Sequence, residues 1–295
     1  FTGRKGRKKP PFPFPIPIPR FPAPLLTESN AACRWRTSPA AGVSSPGCGA
    51  RRGPASRRRC ASEPRPWEVT VFVRSLFASQ PIQEGDCILQ LPHAAQLTQH
   101  KLPQEVRLLL DDDAVARAAA AKVAVLLMME QRLGHESGWA PYVTSLPAKD
   151  QMHNMMFWDL DELDMVRHSP VYDEAIEQKE RIRKQFSAAK PALERFPHLF
   201  GEVKLEDFMH ASALVSSRAW QTSRGVSLVP FADFLNHDGA SDSILVYDEE
   251  KDVSEVIADR NYAVGEQVMI RYGKYSNAML ALNFGFTLSR NIYDQ

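Results

Sequence analysis

Asp233, Asn236 and His237 lie within five positions of one another, flanked by Phe231, Phe234 and Leu235. A carboxylate, an amide and an imidazole set in apolar surroundings make either a satisfied buried network or a cradle for a polar ligand. Local sequence by itself favours the buried network. Asp233, His237 and Asp238 are also possible metal ligands, but no further His or Cys stands at ligand spacing, so no metal is expected. Further on, Arg271-Tyr272-Gly273-Lys274-Tyr275-Ser276-Asn277 brings phenols, cations and an amide around a glycine that permits close backbone approach. The patterns GxGxxG after a strand, GxxxxGK[ST], HExxH and GxSxG are all missing. The polar set is what remains to carry chemistry.

Those residues must be positioned by a mixed framework. The run around Val69–Gln80, rich in β-branched and aromatic residues, predicts a strand, and Cys87–Leu91 a second one closed by Pro92. Pro103 starts a helix over Glu105–Leu110, and the Ala-rich stretch Ala114–Leu133 predicts a buried helix. Gly138-Trp139-Ala140-Pro141-Tyr142 breaks that helix and opens a loop to Pro147. Short helical patterns follow at Asp161–Arg167 and, as a solvated helix, from Tyr172 to about Phe186. An amphipathic helix is expected over Leu205–Trp220. Asp233–His237 reads as a short helix or turn. Strands are expected at Ile244–Tyr247, Glu255–Ala258 and Val268–Tyr272, then a helix over Lys274–Phe284 ending at Gly285. Strands, a long helical insert and more short strands give an α+β arrangement whose sheets are completed by distant segments.

Charge divides the 295 residues. Residues 1–66 carry 14 Lys+Arg against 2 Asp+Glu, and the remainder 36−14 = 22 against 35−2 = 33. Thirteen of the 22 prolines also fall in residues 1–66, where PPFPFPIPIPRFPAP can form neither helix nor central strand. This basic leader is expected to be disordered, and it reads as a chloroplast transit segment. Three of the four cysteines lie in it, which excludes a disulfide framework or a four-thiolate zinc site from residues 67–295. No apolar run is long enough to span a membrane. The acidic body argues against a nucleic-acid partner.

A family resemblance rests on motifs in order. Ser217-Arg218-Ala219-Trp220, Leu228–His237, Gly265–Gly273, Ser276-Asn277 and Phe284-Gly285-Phe286 together resemble the SET-domain protein methyltransferases, as does Arg74–Ser79 followed by Ile82–Asp86. The spacing is similar to the plant branch related to the Rubisco large-subunit lysine methyltransferase. The resemblance implies a SET fold of short strands with knot-like C-terminal threading: an N-terminal half at 67–94, a helical insert at 95–205 and a C-terminal half at 206–295. It implies methyl transfer from S-adenosylmethionine to a lysine of a protein substrate, such as the Rubisco large subunit or another stromal enzyme, by a monomer in the chloroplast stroma. Tyr272 is the implied catalytic group. Arg74, Arg218, Asn236, His237, Tyr272 and Phe286 would hold the cofactor, and Asp233, Tyr247 and Phe284 the substrate.

Two departures accompany the resemblance. Val73 stands where the family has a glycine in its opening loop, and a β-branched residue cannot take the positive φ that glycine permits. The chain also stops just past Phe-Gly-Phe, where this branch continues into a substrate-binding domain. A non-catalytic SET-like scaffold in a plastid complex is therefore the alternative reading.

Overall fold

A computed structural model describes residues 74–113 and 118–294, and the backbone alone for residues 33–37 and Arg74. Three small sheets surround a helical core. The first sheet has the order β1 (Cys33–Thr37), β2 (Arg74–Ala78), β10 (Gln267–Ile270) and β7 (Asn236–His237). The second orders β3 (Cys87–Pro92), β9 (Val253–Ile257) and β8 (Leu245–Asp248); the third orders β4 (Leu97–Thr98), β6 (Gly225–Leu228) and β5 (Ala219–Thr222). In the first sheet β10 is inserted between strands remote in sequence. It runs antiparallel to β2 through Val268↔Leu76 and parallel to β7 through Ile270↔His237. Each sheet joins strands that are distant in sequence, as expected for distant completion. β1, five residues within the basic leader, pairs by its backbone with β2 from Cys33↔Ala78 to Thr37↔Arg74. An extended, proline-free stretch can satisfy its backbone donors on an open strand edge. The rest of the leader and Val73 lie outside the described residues.

The insert contains α1 (Gln104–Asp111), α2 (Ala119–Leu133), α3 (Ala140–Val143), α4 (Leu160–Asp164), α5 (Pro170–Leu193), α6 (Pro197–Phe200) and the start of α7 (Leu205–Arg218). α2 has apolar residues on every face and is buried from Ala121 to Glu130, which is why it forms the core's axis against α7. Its two polar exceptions are paired: Lys122 with Asp111, and Glu130, which accepts from Ser137 Oγ at 2.6 Å. Three elements differ from the sequence reading. α5 is longer than expected and not merely solvated, because Val171, Ala175, Gln178 and Ile182 form a buried stripe at helical spacing. The stretch expected as loop contains the one-turn helix α3, started by Pro141 in its first turn. α7 stops at Arg218, and Ala219-Trp220 opens a hairpin instead of ending the helix. The turn closes at Gly225 with φ +103°, and Trp220 pairs with Ser227.

α8 (Asn277–Phe284) begins at Ser276, whose Oγ accepts from the Met279 N–H, and ends at Gly285 with φ +78°. A β-carbon at Gly285 would sit 2.7 Å from the His153 carbonyl carbon. Gly285→Ala should therefore cost roughly 2 kcal/mol or more, from the left-handed backbone and the clash together. Urea denaturation checks this, and an unchanged midpoint would show that the two segments separate without cost.

Candidate functional site

The polar set is assembled by four segments. The end of α7 supplies Arg218 and the start of β5 Trp220. The turn before β7 supplies Asp233, and the stretch after β10 supplies Tyr272 and Tyr275. The last residue of α8 is Phe284. These six side chains line a cleft of about 80 Å³. The turn carrying Asp233 is entered through Phe231 in the left-handed region, φ +69°, an uncommon state for a bulky residue and one usually held by its surroundings. Here an edge-on contact with Phe234, 5.7 Å between ring centres, holds it.

Asp233 is fully buried, with no side-chain exposure, against 23% for Arg218. Arg218 Nη1 donates to its Oδ2 at 3.2 Å and to its backbone carbonyl at 3.0 Å, and the Tyr142 hydroxyl donates to the same Oδ2 at 3.1 Å. Oδ1 is buried with no partner among the described residues. Burial raises the Asp233 pKa above the usual carboxylate value, and the Arg218 charge and the Tyr142 hydrogen bond work against that rise. Trp220 Nε1 and Arg218 Nε are likewise buried without partners.

Tyr272 donates its hydroxyl to the Leu235 carbonyl at 2.8 Å, so its oxygen lone pairs stay available as acceptors. Burial pushes its pKa far above the ordinary phenol value, which keeps the proton on. Its ring stacks between His237 at 5.1 Å and Phe284 at 5.3 Å, with Trp220 edge-on at 6.1 Å. His237 Nδ1 accepts from the Tyr272 backbone N–H at 3.1 Å, and burial lowers its pKa, so the ring is neutral at pH 7. Asn236 donates from Nδ2 to Ser75 Oγ at 2.8 Å, which ties β7 to β2. Phe286 lies 6.2 Å from both His237 and Phe284.

The structure thus brings Arg218, Asp233, Tyr272 and Phe284 into one cleft, with His237 stacked on Tyr272 and Phe286 tilted against His237. Tyr247 is placed elsewhere: on β8, its hydroxyl meets Asp252 and accepts from Arg224 Nε at 2.9 Å, and it does not line the cleft. The Arg74 side chain lies outside the described residues. Arg218 was expected to face a cofactor carboxylate, whereas its Nη1 is committed to Asp233. Tyr142, Trp220 and Tyr275 are the site residues to which sequence reasoning gave no role. Trp220 and Tyr275 stood inside motifs that could have flagged them, but nothing local marks Tyr142. Among the described residues no cluster of three or more His, Cys, Asp or Glu is placed to hold a metal, and no helix is long and apolar enough to cross a membrane.

Comparison with known proteins identifies the fold. Two solved structures of Rubisco LSMT, one bound to AdoMet and one bound to sinefungin and monomethyllysine, match at TM-scores of 0.61 and 0.64. Each is 26% identical to this chain, covering 75% of it and 51% of theirs. Actin-histidine N-methyltransferase of Homo sapiens is 24% identical over 234 residues, and that of Gallus gallus 23%. These alignments cover 75% of this chain and 39% of each relative, so the chain spans about two fifths of the curated relatives' length. The SET domain matches residues 73–273, which takes in every cleft residue except Tyr275 and Phe284. Through that match, over well more than half its length, the chain belongs to the SET-domain family.

Proposed function

We propose that this protein transfers a methyl group from S-adenosylmethionine to the side-chain amine of a lysine in a protein substrate. The observation that carries this reading is the buried, unpartnered Asp233 Oδ1 in a narrow cleft walled by Trp220, Tyr272, Tyr275 and Phe284. An ammonium on an apolar stem satisfies both features: the carboxylate attracts the charge, and aromatic faces favour a cation and cover the methylenes. The cofactor, when bound, supplies an electron-poor methyl group on a sulfonium. The residues fit such a group, because Arg218 Nε and His237 Nε2 are buried polar atoms still lacking partners. A ligand with a carboxylate and a purine can supply acceptors for both, while Phe286 and Tyr272 offer apolar surface beside His237.

The chain's own part is positioning. In the cleft, burial disfavours the lysine's charged form while the Asp233 carboxylate favours it, so the acceptor is bound as the cation and must give up its proton before it reacts. The cleft residues would hold the neutral amine against the methyl group that the bound cofactor supplies; transfer would form the N–C bond, break the C–S bond, release the thioether and pass the amine's excess proton to solvent. Tyr272, its own proton committed to Leu235, would offer its lone pairs to polarised C–H groups, contacts that are weak singly but directional. Alignment of this sort is the main source of rate in such a displacement.

Incubating the full chain with methyl-labelled cofactor and stromal proteins tests this, with acid hydrolysis of the labelled product. N-methyllysine is expected. N-methylhistidine would replace lysine by histidine as acceptor, the reading favoured by the name of the curated relatives. Absence of any calorimetric cofactor binding by the folded chain would favour the scaffold role. The plastid setting is supported by the composition of residues 1–66 alone: fused to a reporter, they should direct import into isolated chloroplasts, and exclusion from the organelle overturns it.

A further inference from the structure

The Asp233 carboxylate is gripped on one side only. Both donors that reach its side chain, Tyr142 Oη at 3.1 Å and Arg218 Nη1 at 3.2 Å, meet at Oδ2. Because a carboxylate is planar, fixing Oδ2 from two directions fixes Oδ1 as well. Tyr142 comes from α3, 91 residues earlier in the chain, within the helical insert. It is buried, and its ring leans on Phe234 at 6.3 Å, the residue next to the carboxylate it holds. Its phenol stays protonated because burial, and then the Asp233 charge, raise its pKa far above the ordinary value.

We propose that Tyr142 is a positioning residue for the methyl acceptor: by anchoring Oδ2 it presents Asp233 Oδ1 to the substrate ammonium, so the insert supplies part of the substrate site. This rests on the amine reading of the cleft given above. The groups that face Asp233 are Arg218 from α7, Tyr142 from α3 and Tyr272 from the stretch after β10. Arg218 and Tyr142 favour the ionised carboxylate, and burial opposes it. Removing the Tyr142 hydroxyl therefore both frees the carboxylate to rotate and makes it easier to protonate.

The test uses the full chain with n-butylammonium as the probe, a cation on a short apolar stem, and 13C-labelled aspartate whose Asp233 signal is assigned from Asp233→Asn. In Tyr142→Phe the Asp233 titration midpoint should move to higher pH. Probe affinity at neutral pH should fall about tenfold, the effect of losing one hydrogen bond to a charged group. The gap should narrow at higher pH, where the carboxylate is ionised in both proteins. Tyr142→His, which can return a donor, should bind the probe better than Tyr142→Phe. A merely space-filling role predicts the reverse order, since Phe fills the site as Tyr does. An unmoved Asp233 midpoint overturns the anchoring whatever the probe does. Failure of the unsubstituted chain to bind the probe, with the midpoint shift intact, overturns the amine reading and the presentation of Oδ1 with it.

Discussion

Tyr272→Phe is expected to lower the turnover number about a hundredfold, the order of loss that follows when a reacting group is misplaced by a fraction of its contact distance. Cofactor affinity should change little. The ring makes the larger part of the residue's contacts: stacked on His237 and Phe284, with Trp220 edge-on, and a phenylalanine keeps all of them. What disappears is the hydroxyl donating to the Leu235 carbonyl at 2.8 Å, and with it the oxygen whose lone pairs face the cleft. The unpaired carbonyl should cost about 1 kcal/mol of stability, too little to unfold the protein. Single-turnover kinetics together with calorimetry separates the two roles: a fall in rate at constant affinity marks a group acting in the transition state. Equal losses of rate and affinity would make Tyr272 structural.

Arg218→Leu should give the largest loss of stability, about 3 kcal/mol, because it leaves the wholly buried Asp233 carboxylate without its cation. The sign of the pH dependence follows from Asp233. Its folded-state pKa already lies above the unfolded value through burial, and Arg218 is the strongest influence holding it down. A carboxylate whose folded pKa is raised binds its proton more tightly in the native state, so its contribution becomes destabilising as pH rises through that pKa. Without Arg218 the pKa climbs further, and the penalty at neutral pH grows. The deficit of the variant relative to the unsubstituted protein should therefore be greatest at the alkaline end, where Asp233 is ionised in both, and shrink as the pH is lowered and Asp233 takes up a proton. Thermal melts of both proteins across that range check it. A deficit that is constant with pH would mean that Arg218 stabilises through packing of its stem and not through its charge.

The two substitutions affect neighbouring groups by different routes, one in the transition state and one in the folded ground state. Arg218 and Tyr142 share the same oxygen of Asp233. Their effects on its titration should consequently be non-additive, as is usual for members of one hydrogen-bonded network.

Much of this was legible from residue order. The buried helix α2 followed from apolar residues on most of its faces, α8 from its closing glycine, and the later strands from the turns that separate them. Asp233, Asn236, His237 and Tyr272 were singled out as polar or phenolic groups in apolar surroundings. Errors arose where local pattern and tertiary partner disagree. Ala219-Trp220 continues a helical periodicity, but its backbone finds a better ladder against Ser227 and Leu228.

By itself, then, the order of amino acids determined which segments would be helix or strand and which side chains could do chemistry, because hydrophobic period, caps and turn residues act over a few positions. The tertiary structure alone decided which oxygen of Asp233 is held and which is open, and that its holder is Tyr142. A carboxylate's partners are set by which distant elements pack beside it, and α3 reaches Asp233 only because the core around α2 brings the insert back against the C-terminal strands.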